Sequence, residues 1–477
     1  MTTTLAALRP RHDRGPAARI ARSAALAEGA HLSLDGFHHW FAERQAAHRF
    51  RVDRIPFADL EGWRFEQGTG NLVHHTGRFF SVEGLRVTTA GGDWCQPIIR
   101  QPEIGVLGIL VKEFDGVLHC LMQAKMEPGN PTPLQLSPTV QATRSNYTGA
   151  HGGAGVRYIE YFTQPGRGEV LADVLQSEHG SWFYRKHNRN MIVQTDEEVP
   201  LHPDFCWLTF GQLAELLRLD NLVNMDSRTV LACAPLPEGP APDLTGVDGF
   251  TAALVRSRDA EAGARHTDAE LRAWFTGQRT RHHVRAECLP LNELPGWLRT
   301  ERAIEHPEGR FFDVVAVAAQ TDSREVRGWT QPLFAPRGQG VVAFLARPIE
   351  GVLHLLVHAR MEGGLPDLVE LAPTVQYTPQ NYRGRATPPF LAQVLDAAPD
   401  RIRYQALHSE EGGRFLDAVS RYLVIEADEQ TAPLEAPEGY RWLTLAQLAP
   451  LIQHGHRVNV QARTLVACLN ALAGRAV

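Results

Sequence analysis

The stretch AKMEPGNPTPLQLSPTVQATRSNY at residues 124–147 reappears as ARMEGGLPDLVELAPTVQYTPQNY at 359–382. The match does not stop there. Trp40-Phe41 returns as Trp274-Phe275, GRFF at 77–80 as GRFF at 309–312, and WCQP at 94–97 as WTQP at 329–332. GVLH at 116–119 returns at 351–354, and WLT at 207–209 at 442–444. Each copy closes on an Asn and an Arg, Asn224 with Arg228 and Asn459 with Arg463. The offset stays between 232 and 235 residues throughout, so one domain has been duplicated in tandem; a period this long is not a solenoid. The boundaries read as a flexible N-terminal arm over 1–30, a first unit over 31–235, a linker over 236–264 and a second unit over 265–477. The linker opens on the Pro/Gly-rich PLPEGPAPDLTGVDG at 235–249.

Within a unit the pattern changes from helical to extended and back. LDGFHHWFAERQAA places Phe37, Trp40 and Phe41 on one face of an opening helix. Residues 106–113 and 117–126 flank Asp115-Gly116, a hairpin-turn signal that the second unit repeats as Glu350-Gly351. Along 117–126, Leu118, Cys120, Met122, Ala124 and Met126 alternate with His119, Gln123 and Lys125. LSPTVQAT also reads as extended, and two helical patterns close each unit. This predicts an α+β domain, a mixed or antiparallel sheet with flanking helices, built twice.

Composition excludes several classes. A net charge of −6 gives no basic stripe for nucleic acid. The six cysteines form no CxxC pair and no short Cys/His spacing, which argues against zinc and against a disulfide framework. A reducing cytoplasm fits, and no apolar run approaches the ~18 residues of a membrane helix. Neither a Walker A loop nor a G-x-G-x-x-G after a strand is present, so no nucleotide cofactor is expected. G-x-S-x-G and H-E-x-x-H are missing too.

Three polar clusters remain. In W-x-Q-P, Trp94 with Gln96, and Trp329 with Gln331, an aromatic beside an amide could stack on and bond a base; equally, a buried Trp could anchor a turn. The quoted stretch leaves a polar strand face at Lys125, passes Glu127 and returns along Thr139, Gln141 and Thr143. Arg360, Glu362, Thr374, Gln376 and Thr378 repeat the set, as converging groups of a concave site would. The third, SEHGSWFYRKHNRNM at 177–191, gathers Glu178, Tyr184, Arg185, Lys186, Asn188, Arg189 and Asn190 beside Trp182, a donor set suited to a diphosphate. The second unit keeps only Glu410 and Arg421 of it. His38, His39, His282 and His283 are read as exposed and given no role.

Tandem repeat, WCQPII, QLSPTVQATRSNY and SEHGSWFYRKHNRNM together resemble the NDP-hexose 2,3-dehydratases of deoxysugar biosynthesis, over nearly the whole chain. The resemblance implies two Nudix-hydrolase-like domains per subunit, a homodimer, and a cofactor-free loss of water from TDP-4-keto-6-deoxyglucose. The product would be a 3,4-diketo-2,6-dideoxy sugar, for a downstream 3-ketoreductase. On this reading Glu127 and Glu178 are the leading base and acid, with His119 and Tyr147 as rivals. Arg144, Arg157, Arg185, Lys186 and Arg189 are candidates for the diphosphate, and Asn146 joins the substrate set. A second nucleotide pocket would use Trp329, Gln331, Arg360, Glu362, Thr374, Gln376, Asn381, Tyr382 and Arg421. Because only the first unit holds the full cationic run, catalysis is expected there, with an ancillary site in the second. A non-catalytic nucleotide-sugar binder and a metal-dependent Nudix pyrophosphohydrolase are the alternatives, but no R-E-x-x-E-E helix follows the hairpin. Turnover of a 4-keto nucleotide sugar is therefore expected to survive EDTA unchanged; activity lost on chelation and restored by magnesium would favour the hydrolase.

Overall fold

The computed structural model describes residues 15–147, 155–237, 243–281, 283–321, 327–384 and 386–475. Strands Gly105–Phe114 and Val117–Met126 pair antiparallel across Asp115 and Gly116, whose φ values of 50° and 74° suit the tight turn that Gly and Asp favour. Glu350 and Gly351 repeat this at 50° and 80°. Around each hairpin grows a seven-stranded sheet. In the first unit its order is Glu169–Ser177, His187–Gln194, Gly105–Phe114, Val117–Met126 and Phe205–Thr209, with two short strands, Leu134–Ser137 and Val140–Ala142, added beside the hairpin. The pairing of His187–Gln194 with Gly105–Phe114 is parallel and the others are antiparallel, so the sheet is mixed as expected. Leu118, Cys120 and Met122 enter a core with the closing helices, while Leu121 packs on the other face with Phe162 and Trp207. The α+β reading holds. Each closing pair starts on a capping box, Thr209 with Gln212 and Thr444 with Gln447, which satisfies the first free N–H groups of the helix.

The units do not stand side by side. Ahead of each large sheet lies a small antiparallel one, and the two exchange strands. Phe50–Ile55 of the first unit pairs with Phe312–Thr321 of the second, and Arg285–Leu289 of the second pairs with Ser81–Thr89 of the first. One apolar core then runs through both units, joining Leu107, Val230 and Cys233 to Phe344, Leu465 and Cys468.

Two boundary expectations need correction. Residues 15–30 are no flexible arm: Gly15–Ala24 is a helix whose Ser23 Oγ donates to Leu118 O at 2.5 Å, and Ala30 N donates to the His119 ring at 2.9 Å. Residues 1–14 lie outside the described residues. The 236–264 linker likewise contains the helix Gly249–Arg256, capped by Asp248, with Ser257 Oγ donating to Leu353 O at 2.6 Å. These two segments occupy equivalent places, so the duplication extends further towards the N-terminus of each unit than the sequence motifs reach. Arg22-Ser23 and Gly29 do recur, as Arg256-Ser257 and Gly263, but matches this sparse among Ala and Arg form no motif of their own. Among the described residues, no helix is long and apolar enough to cross a membrane.

The closing arginines lock the exchange. Arg228 is fully buried; its Nη1 donates to Val223 O at 2.5 Å and its Nη2 to Ser409 O of the other unit at 2.7 Å. Arg463 mirrors it, donating to Val458 O at 2.6 Å and to Ser177 O at 2.7 Å. Arg228→Met should therefore destabilise the whole chain, at about 1–3 kcal/mol for each buried carbonyl left without a donor. Denaturant unfolding followed by tryptophan fluorescence measures this, and a near-neutral result would remove the arginine from that role.

Candidate active site

Glu127 follows directly on the strand that carries Lys125, and both groups meet Gln141 from the neighbouring short strand. Gln141 Nε2 donates to Glu127 Oε1 at 3.0 Å, with Lys125 Nζ 3.3 Å from the same oxygen. The amide is oriented by Asn224, whose Nδ2 donates to Gln141 Oε1 at 3.1 Å while its Oδ1 caps the closing helix at Ser227 N. Glu178, just past Glu169–Ser177, accepts Asn188 Nδ2 at 2.7 Å. Asn188 in turn accepts from Lys186 Nζ at 2.8 Å. Burial lowers the Lys186 ammonium to about 8. Asp226, in the first turn of the closing helix, is 3% exposed. Burial, then Glu411, Glu178 and Glu127, pushes its carboxyl well up. Glu411 comes from the other unit; burial raises it to about 7, Arg414 opposes the rise, and Glu178 and Glu127 add to it. Four carboxylates and two lysines from both units converge in one place.

The equivalent place in the second unit opens into a cavity of about 650 Å³. Glu362 Oε1 there accepts Gln376 Nε2 at 2.8 Å, Arg360 Nε at 3.1 Å and Ser181 Oγ, from the first unit, at 3.1 Å. Asn459 orients Gln376 as Asn224 orients Gln141, at 2.7 Å. Glu410 accepts the Tyr422 hydroxyl at 3.0 Å and pairs with His179 Nε2, again from the first unit, at 2.9 Å. Where the first pocket has Asp226 and Lys186, this one has Gln461 and Ala418.

Two glycines permit this crossing of loops. A Cβ on Gly129 would stand 1.7 Å from Phe415 O, and one on Gly364 would stand 1.9 Å from Phe183 O. Gly129 N donates to Gly412 O at 2.7 Å and Gly364 N to Gly180 O at 2.8 Å. Each glutamate loop is thus seated on the other unit's backbone.

The chain belongs to the NDP-hexose 2,3-dehydratase family. Residues 34–234 and 268–469 each match the profile described as NDP-hexose 2,3-dehydratase. A protein of Amycolatopsis orientalis named dTDP-4-dehydro-6-deoxy-alpha-D-glucopyranose 2,3-dehydratase is 54% identical over 483 residues, covering 99% of this chain and 98% of its own. Proteins of the same name from Saccharopolyspora spinosa and Streptomyces violaceoruber are each 51% identical. The first alignment covers 95% of both chains, the second 92% of this chain and 97% of the relative.

Against this family background several sequence expectations change. Trp94 and Gln96 belong with the second pocket, not the first: both line its cavity, and Gln96 Nε2 donates to Ser181 O at 2.5 Å. Trp94 is 39% exposed, so it anchors no buried turn. Gln331 instead braces the Glu411 loop of the first pocket through Gly413 O at 2.8 Å, and accepts Trp329 Nε1 at 2.8 Å. His119 is no rival base, because Val117 O and Ala30 N occupy its two ring nitrogens. Thr139 and Thr374 are staples between strands, each donating to a carbonyl (Leu121 O, Leu356 O) and accepting a backbone N–H. Arg189 pairs with Asp173 and Arg421 with Gln405 across strands. Asn190 is fully buried on the Asn188 carbonyl, and Arg157 is exposed beside His202. Arg185 is exposed over the ring of Tyr184, which packs on Leu85, Val87 and Ile98. Thr143 caps the turn into Arg144–Tyr147, which carries Arg144, Asn146 and the half-buried Tyr147. Asn381 and Tyr382, their counterparts, line the second cavity. His38, His39 and His283 are exposed, and His282 lies outside the described residues.

The motifs did not single out His179, Ser181, Asp226, Glu411 or Arg414. Aligning the two units would have flagged them, since His179 faces Glu411 and Asp226 faces Gln461 in that register. Glu411 titrates higher folded than its ordinary 4.5, so its contribution to stability is present at low pH and is lost as pH rises towards about 7. Thermal melts of Glu411→Gln should show a flatter stability profile between those pH values and a higher midpoint at pH 8 than the wild type. Identical profiles would place Glu411 in solvent.

Proposed function

We propose that this chain converts dTDP-4-keto-6-deoxyglucose to the dTDP-3,4-diketo-2,6-dideoxy sugar, with the chemistry in the first pocket. The observation that carries this is the convergence of Glu127, Glu178, Asp226 and Glu411 with Lys125 and Lys186. The C4 ketone acidifies the C3 proton, and a carboxylate removes it, leaving an enolate. A lysine ammonium beside the C4 oxygen would hold the developing charge. The C2–O bond then breaks with a proton delivered to the leaving hydroxyl, which departs as water while the C4 ketone reforms. The resulting C2=C3 enol takes a proton at C2 and gives up the one on its C3 hydroxyl to become the diketone. Glu127 and Glu178 are the base and acid in this reading. Burial and the neighbouring Glu178 and Glu127 push up both Asp226 and Glu411, Glu411 to about 7, which keeps protons available in the pocket. Arg144 is the proposed diphosphate contact, with Tyr147 beside it.

The second pocket is read as an ancillary nucleotide site. What supports this is its cavity bordered by Trp94 and Trp297, with neutral Gln461 replacing an acid. We also propose a homodimer, a cytoplasmic location and a downstream 3-ketoreductase that consumes the diketone. A Nudix-like ancestry for each large sheet is consistent with its mixed pairing, but the hydrolase glutamates have no counterpart in sequence.

Glu127→Gln and Glu178→Gln should each lower kcat by about 10²–10⁴-fold, the usual contribution of one acid–base group, while Glu362→Gln changes it far less. Steady-state assays of diketo-sugar formation decide this. If Glu362→Gln abolishes turnover and the other two do not, the reaction belongs to the second pocket.

A further inference from the structure

Glu178 and His179 are consecutive, yet they serve different pockets. Glu178 turns into the first, where its Oε1 takes Asn188 Nδ2 at 2.7 Å. His179 turns into the second, where its Nε2 meets Glu410 Oε2 at 2.9 Å and its ring lies 5.4 Å from Trp182 and 5.2 Å from Phe415. Both side chains are almost fully buried, at 3% and 2% exposed. Each keeps one polar atom without a hydrogen-bond partner, Glu178 Oε2 and His179 Nδ1. Those two atoms face each other at 3.9 Å. Two buried, unsatisfied, complementary groups at that separation are one small rotation from a bond.

We propose that His179 is a positioning residue shared by the two pockets: as an imidazolium held by Glu410 on one side, it faces and holds the carboxylate of Glu178 on the other. What occupies the second pocket is then felt at the reacting groups of the first. The proposal rests on the first pocket being the site of reaction only where it speaks of turnover; the charge chain Glu178–His179–Glu410 stands on geometry alone.

The surrounding groups fit. Burial disfavours the imidazolium, but Glu410, then Glu178 and Glu362, outweigh it and leave the His179 pKa raised. Glu410 is correspondingly lowered: burial opposes this, but His179, Arg228 and the Tyr422 hydroxyl outweigh it. Glu178 is also faced by Lys186 from its own unit, Asp226 from the closing helix, Glu411 from the crossing loop and Arg463 from the last helix. Within that set His179 alone joins the two glutamates. Its counterpart in the duplicated sequence is Glu411, so the first unit's copy of this position is a cation and the second unit's is an acid. The duplicated position therefore supplies this imidazole link once, through His179, and not a second time through Glu411.

The sign of the effect follows. An adjacent cation favours ionised Glu178, so its loss raises the pH at which that carboxylate forms. With His179→Gln, which keeps an amide near the Nε2 position but carries no charge, the alkaline limb of the kcat profile, where the acid Glu178 loses its proton, should move up by about one pH unit, a tenfold gain of rate above the wild-type limb. Glu410→Gln, a change confined to the second pocket, should move the same limb in the same direction. The double variant should move it no further, since both changes remove one charge. A uniform loss of rate at all pH values would mark His179 as merely structural.

A readout independent of turnover completes the test. In protein carrying ¹³C-labelled histidine, the His179 signal, assigned by its disappearance in His179→Gln, should titrate at lower pH in both Glu178→Gln and Glu410→Gln than in the wild type. If Glu178→Gln leaves that titration in place, the proposal fails. If it shifts while turnover is indifferent to Glu178→Gln, the shared charge is upheld and the placement of the reaction in the first pocket is what falls.

Discussion

Two guanidinium groups with no access to solvent, Arg228 and Arg463, hold the halves of this molecule together. A buried cation is costly unless its donors are satisfied, and the planar fork of arginine meets two carbonyls at once. Each spans from its own helix start, at Val223 or Val458, to the strand end of the opposite unit, at Ser409 or Ser177. The residue after each of those serines is a pocket glutamate, Glu410 or Glu178. Gln135 and Glu370 reinforce the crossing by bonding Ser409 Oγ and Ser177 Oγ at 2.7 Å each. Displacing either arginine would disturb the backbone that presents a glutamate in the other half.

Because strands, loops and arginines all cross, neither pocket belongs to one unit. A shared scaffold also lets the two sites diverge without a change of fold. The amide that orients a glutamate is the same in both, Gln141 on Glu127 and Gln376 on Glu362. The differences lie at positions that carry charge: Lys186 against Ala418, Asp226 against Gln461, His179 against Glu411. Burial, reinforced by the like charges of Glu178 and Glu127, raises the carboxyls of Asp226 and Glu411 in the first pocket. In the second, a salt-bridged Arg360–Glu362 pair and a His179–Glu410 pair compensate each other, and the cavity stays open.

The recurrence of polar residues was a sound guide to where the sites lie and a poor guide to what each residue does. Thr139 and Thr374 recur because each hydroxyl fills a gap between strands, a need that duplicates with the fold. His119 and His354 recur for a similar reason, both accepting a backbone N–H from the segment that precedes the opening helix of their unit. Structural hydrogen bonds and catalytic ones use the same atoms, and one sequence does not separate them. The residues that matter most to the electrostatics, Asp226 and Glu411, are those that break the repeat.

From sequence alone followed the duplication, the hairpins at Asp115-Gly116 and Glu350-Gly351, the closing helices and the gathering of Lys125, Glu127 and Gln141. Those are consequences of local periodicity, turn chemistry and strand register, which act over a few residues. Only the tertiary structure decided that Phe50–Ile55 and Arg285–Leu289 change places, that Trp94 and Gln96 serve the second pocket, and that Glu411 reaches the first. It also turned neighbours 178 and 179 into opposite sites. These outcomes depend on partners far apart in sequence, 85 residues for Gln96 and Ser181 and over two hundred for Phe50 and Thr321, chosen by which buried donors and acceptors can be satisfied together, and no local pattern encodes that choice.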